Sequence, residues 1–213
     1  MNSVLVDILF RWGHVLFGVT WIGLLYYFNF VQGEYFKEAS KDALPDVKEK
    51  LVTRALWWFR WAAMFTFITG VVLLGVLGSN LSGFIVVGAT LGTFMMLNVW
   101  LIIWPKQKIV LGLAEGDVPS SAAKAGLASR TNTLFSAPML MCMLASKHGF
   151  AFQVGMNSVT GGYSTGLYAA LGLMIVIQLN AMFGKMGPMA SVKGVIHLSL
   201  ALTAAMVALI VYL

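Results

Sequence analysis

Residues 4–31 read VLVDILFRWGHVLFGVTWIGLLYYFNFV, a run longer than the roughly 20 apolar residues that cross a bilayer. Asp7 and Arg11 stand near its start, and His14 lies well inside it. An ionisable group at lipid depth costs about 3 kcal/mol or more, so it faces a bundle interior, a cavity or a cofactor. The stretch has no small-residue cleavage site ahead of a soluble region, so it reads as a retained helix and not as a signal peptide.

Five further apolar stretches follow at 55–77, 84–104, 131–150, 164–183 and 192–213. They predict an all-α, polytopic membrane bundle of about six transmembrane helices in one integral domain, residues 1–213. Gly78-Ser79-Asn80, Pro105 and Gly187-Pro188 punctuate the cuts. Composition agrees. The chain is 59% hydrophobic and 10% charged, against roughly 25% charged in soluble domains, and its mean hydropathy is +0.84. Cys142 is the only cysteine, which excludes an internal disulfide framework and a CxxC site for metal or covalent haem.

The basic residues alternate with the spans. Lys37, Lys41, Lys48, Lys50 and Arg54 follow the first stretch, Lys106, Lys108, Lys124 and Arg130 follow the third, and Lys185 and Lys193 flank the last turn. The positive-inside rule then makes those loops cytoplasmic and puts both termini outside. The formal charge of +6 belongs to lipid-facing loops and does not mark a nucleic-acid surface. Residues 33–53, with Glu and Lys interleaved, read as a cytoplasmic loop or a solvated helix without chemistry of its own.

The first stretch holds the densest constellation. Asp7, Arg11, His14, Gly18, Trp21 and Leu25 recur at steps of three and four and share a helix face. Asp7 can pair with Arg11, and Gly18 leaves room for a flat cofactor or for a close neighbouring helix. The last stretch carries His197 in a stripe with Gly194, Ala201, Ala204 and Ala208, a groove for another backbone or a porphyrin edge. At 1.5 Å per residue, His14 is expected about 10 to 15 Å below the outer surface and His197 about 7 Å above the inner one. His148, beside Lys147, is read as solvated at the outer surface, or as an entry point for protons or electrons. Arg60, within Trp57-Trp58-Phe59-Arg60-Trp61, can stack on aromatic faces, snorkel, or hold a carboxylate. Asn98, Asn132 beside Arg130, and Gln178 with Asn180 each call for an interhelical partner. Asp7 is the only acid within the spans, so hydrolytic chemistry built on paired carboxylates is excluded.

Four ordered motifs carry a resemblance. They are Arg11 through Gly23 with Tyr26-Tyr27-Phe28; Ala55 through Trp61; Asn98-Val99-Trp100 with Ile103 through Lys108; and Ala128 through Thr133, continuing past Pro138-Met139-Leu140 to Ser146-Lys147-His148. Together they resemble the N-terminal membrane domain of bacterial cytochrome c-linked urate oxidases, in a short form lacking the cytochrome c domain; the last two helices agree only in character. The resemblance implies a protein of the bacterial inner membrane that passes electrons from a substrate to a cytochrome c or to a larger respiratory complex. On that reading a non-covalent haem b is held by His14 with His197 as second ligand. Arg11 or Arg60 lies near its propionates, and Trp21 and Trp57 line the path. The alternative is a non-catalytic accessory or assembly subunit whose histidines serve packing, and transport is a weaker third. Lipid is a partner in every case, and nucleic acid in none.

Overall fold

The computed structural model describes residues 3–78, 81–147 and 164–213. Helices are the only regular elements among these residues, without a strand. Six long helices follow in order: α1 Val4–Glu38, α2 Ala43–Leu77 and α3 Gly83–Val110, α4 Val118–Ala145, then α5 Thr165–Phe183 and α6 Val192–Tyr212. All except α4 are long and apolar enough to cross a membrane.

Two boundaries differ from the sequence reading. Residues 33–53 take the helical one of the two forms expected: α1 and α2 each run for 35 residues, about 52 Å at 1.5 Å per residue, and meet across a tight turn at Ala39–Asp42. Glu and Lys three or four apart support the extension, as Glu34 with Lys37 (2.8 Å) and Asp46 with Lys50 show. In turn, α4 begins 13 residues before the expected span at 131, with Val118. Its apolar part is interrupted by Thr131, Asn132, Thr133 and Ser136, all buried. Those side chains face protein rather than lipid, which is why composition alone does not qualify α4 as a span. The end of that expected span, including His148, lies outside the described residues.

The ends of the helices follow local chemistry. Ser164 and Ser191 cap α5 and α6 by accepting from the N–H groups of Leu167 (3.2 Å) and Gly194 (3.0 Å). After α2, Gly78 turns left-handed at φ 59° and its N–H bonds back to the Leu74 carbonyl, a conformation that L side chains resist. Along α1 at Tyr27–Gln32 and along α3 at Asn98–Ile103 the coil widens to π-type turns, each holding a buried asparagine.

The chain divides into two compact units, Met1–Leu73 with Met96–Asn132, and Leu74–Met95 with Thr133–Leu213. In the first, α1 and α2 run antiparallel, with Phe17 on Phe65 (ring centroids 5.1 Å apart) and Phe28 on Phe59 (5.3 Å). In the second, α5 lies so close to α6 that a methyl group at Gly166 would fall on the Leu209 carbonyl, and one at Gly88 would stand 3.3 Å from Cys142. Pro138 sits inside α4. Having no N–H, it cannot serve the Leu134 carbonyl four residues back, and the Ser199 hydroxyl of α6 does so instead at 2.8 Å.

Candidate functional site

The first unit gathers its polar side chains along one face of α1. At the start of that face Asp7 holds Arg11 through both carboxylate oxygens, at 2.5 Å and 3.2 Å, so the expected pair exists and the Arg11 guanidinium already has its anion. One turn on, His14 points at α2. Its Nδ1 lies 2.9 Å from the Thr66 carbonyl and 3.1 Å from Thr69 Oγ1. A carbonyl can only accept, so Nδ1 carries the hydrogen in this bond, and in the neutral imidazole Nε2 then keeps its lone pair. Gly70 makes space for the ring: a methyl group there would stand 3.1 Å from His14 Cε1. At Gly18 an added methyl group would meet only Thr66 Cγ2, at 3.9 Å.

Further along the same face come Trp21, 2% exposed, and Leu25, fully buried. Asn29 then donates to the Leu25 carbonyl (2.9 Å) and to Ser129 Oγ of α4 (2.8 Å). Asn98 of α3 donates to Asn132 Oδ1 of α4 at 2.8 Å, the interhelical partner that a buried amide demands. Beside them, buried Gln32 Oε1 and Arg130 Nη1 have no hydrogen-bond partner among the described residues.

Arg60 takes the first of its three expected options. Its guanidinium carbon lies 3.8 Å from the centre of the Trp104 ring, a cation–π contact, while its carbonyl accepts from Trp100 Nε1 at 3.1 Å. Trp61 stacks edge-on against Trp100, with centroids 5.3 Å apart, and Trp57 and Trp58 stand exposed, as an aromatic belt does at a membrane–water interface.

The second histidine is placed otherwise than expected. His197, with Ala201, Ala204 and Ala208, lies on an exposed face of α6, while Val195, Ser199, Leu202, Met206 and Ile210 form the buried one. Among the described residues the small residues of α6 therefore line no groove; its bulkier apolar side chains form the packed face, where van der Waals contact with neighbouring helices is made. His14 and His197 belong to different units. Asn180 is a second departure: it bonds the Lys185 N–H and carbonyl, both at 3.3 Å, and so closes the end of α5 rather than joining another helix.

Thr66, Thr69 and Gly70 were not legible beforehand as partners of His14. Their spacing of three and one on α2, matched to a histidine on the helix before, is the one signal the sequence offers. Among the described residues no group of three or more His, Cys, Asp or Glu converges as a metal site would require.

Comparison with known families bears on this arrangement. The family described as urate oxidase N-terminal matches residues 75–207, more than half of the 213 residues. The chain belongs to the urate oxidase N-terminal family. The match includes the motifs around Asn98 and Arg130 and also takes in α5 and most of α6, where the sequence resemblance was one of character. The motifs around His14 and Arg60 precede it. No curated protein and no solved structure matches the chain.

Proposed function

We propose that this member of the urate oxidase N-terminal family is a redox-linked protein of the bacterial inner membrane that binds haem b through His14. It passes electrons to a cytochrome c or to a larger respiratory complex. Six membrane crossings with both termini outside complete the reading, α4 being the crossing whose polar residues are turned onto protein. The observation that carries it is the orientation of one imidazole. Ligating histidines donate their other ring N–H to a carbonyl or carboxylate, which fixes the tautomer and raises the basicity of the ligating nitrogen. His14 has that arrangement, with Nδ1–H on the Thr66 carbonyl and no hydrogen-bond partner at Nε2 among the described residues.

The donor chemistry of His14 suits a haem iron: His14 would supply the nitrogen, and Thr66 with Thr69 hold the ring. The neighbouring glycines leave no space for the macrocycle, since the His14 ring fills the room at Gly70 and Thr66 stands in contact with Gly18. A bound haem supplies a one-electron couple. The chain's part is to orient the imidazole, to exclude water with the apolar residues around it, and to stiffen α1 against α2.

The experiment is an absorption spectrum of the purified protein. A Soret band is expected, lost in His14→Gln, which still offers an N–H to the Thr66 carbonyl but no nitrogen lone pair to iron. Colourless wild-type protein overturns the reading. His197→Ala separates the two coordination states: conversion from a six- to a five-coordinate spectrum assigns His197 as the second ligand, and an unchanged spectrum removes it.

A second reading, an accessory subunit, is favoured by the open face of α6, where His197, Ala201, Ala204 and Ala208 offer a small-residue surface for another helix. It predicts that Ala204→Leu releases the chain from its complex while any cofactor spectrum stays intact.

A further inference from the structure

Two cations from different helices converge on one tryptophan. The guanidinium carbon of Arg60, on α2, lies 3.8 Å from the centre of the Trp104 ring of α3, and Lys108 Nζ, one turn beyond Trp104, lies 5.9 Å from the same point. An aromatic face attracts a cation but does not neutralise it, and like charges held close together repel. Neither side chain takes part in an ion pair among the described residues, where the salt bridges are Asp7–Arg11, Glu34–Lys37 and Asp46–Lys50. The pair therefore attracts an anion, and the guanidinium and ammonium both have N–H groups to offer it.

The surroundings decide what kind of anion. Trp57 and Trp58 are 46% and 60% exposed, with ring centroids 5.0 Å apart. Trp57 reaches Trp61 at 6.5 Å, and Trp61 reaches Trp100, one turn before Trp104, at 5.3 Å. A continuous band of indoles thus runs from the open face of α2 across to α3, with the two cations at its edge. Indoles gather where hydrocarbon gives way to headgroups. The position along each helix agrees: Lys108 stands two residues before the end of α3 at Val110, and beyond Arg60 the rest of α2, Trp61 to Leu77, carries no charged residue. A free ion in water makes no use of exposed indoles. A phospholipid presents a phosphate and acyl chains in one molecule, and basic clefts between transmembrane helices take anionic headgroups.

We propose that the Arg60–Trp104–Lys108 cluster between α2 and α3 binds the phosphate of an anionic phospholipid, with Trp57 and Trp58 against its acyl chains. The site is independent of any cofactor at His14.

The test uses the full-length chain in vesicles of phosphatidylcholine mixed with phosphatidylglycerol, one or the other lipid being brominated on its acyl chains. Bromine quenches indole fluorescence on contact, and five of the seven tryptophans lie in this band, so the ratio of quenching by the two lipids reads its lipid preference. Wild type should prefer phosphatidylglycerol. The preference should fall about fivefold for each cation removed, the scale of one basic side chain at an anionic surface, in Lys108→Gln and in Arg60→Gln, and the double variant should treat both lipids alike. Lys108→Gln leaves α2 untouched, so the test stands even where Arg60→Gln does not fold. Lys193→Gln, an exposed charge at the start of α6, should leave the preference unchanged. Wild type without a preference overturns the proposal, and so does an equal fall in Lys193→Gln, which would make the attraction a property of overall charge. Loss of the preference on adding inorganic phosphate at constant ionic strength also overturns it, by assigning the cluster to a free anion.

Discussion

The two units of this chain hold their helices together by different means. In the first, polar side chains join helix to helix: His14 to Thr66, Asn29 to Ser129, Asn98 to Asn132, Trp100 to the carbonyl of Arg60. In the second, backbones approach so closely that a methyl group would not fit at Gly166 and would crowd Cys142 at Gly88, and a hydroxyl, Ser199, serves a carbonyl that a proline has released. In lipid there is no hydrophobic drive between helices, so packing and hydrogen bonds are what remain. A unit joined by side chains leaves functional groups in its interior. One joined by backbone contact has no room for them, and the candidate site accordingly falls in the first.

The largest test of this contrast is Gly166→Val. Its side chain has to displace the Leu209 carbonyl, and overpacking of this kind costs about 3 kcal/mol, so the thermal transition in detergent should fall steeply or vanish. An unchanged transition would mean that α5 and α6 are not in backbone contact. Next comes Asn98→Leu, which removes the amide that donates to Asn132 Oδ1 and should cost about 1–3 kcal/mol. The double variant Asn98→Leu with Asn132→Leu should recover part of that loss, and an additive result would show that the two amides are not coupled.

Ser199→Ala should cost about 1 kcal/mol by leaving the Leu134 carbonyl without its donor. The loss should shrink when Pro138→Ala restores an N–H to α4, and a full loss in both backgrounds would break the link drawn between proline and serine. Arg60→Leu removes a cation–π contact of about 0.5–1 kcal/mol, read best as a change in tryptophan fluorescence. Asp46→Asn, at the exposed pair with Lys50, should leave the transition where it is, as surface ion pairs contribute little.

Much of this was legible from residues alone. Long apolar runs fix helices because no other element satisfies its own backbone in lipid, and the buried amides Asn98 and Asn132 announced a partner by their cost. Stacking was one of three options open to Arg60, and it is the one taken, over Trp104. The rest was hidden for physical reasons. The joint between α1 and α2 reads as either a loop or a solvated helix because its charges suppress the apolar pattern, and only the pairing of those charges along a helix decides between the two. Thr66 and Thr69 look like ordinary helix residues until a histidine from α1 meets them. Which face of α6 turns inward could not be told from a helix apolar nearly all round, and the stripe of small residues drew the reading toward His197 when the bulkier side chains are the buried ones.

The length of α1 and α2 has a mechanical consequence. A hydrocarbon layer about 30 Å thick cannot cover two antiparallel rods of 35 residues each, so they overshoot it by about 20 Å in total. The ion pairs Glu34–Lys37 and Asp46–Lys50 lie at the end of the two rods that the turn at Ala39–Asp42 joins, so the excess length is polar where the apolar pattern stops, and the turn ties α1 to α2 there.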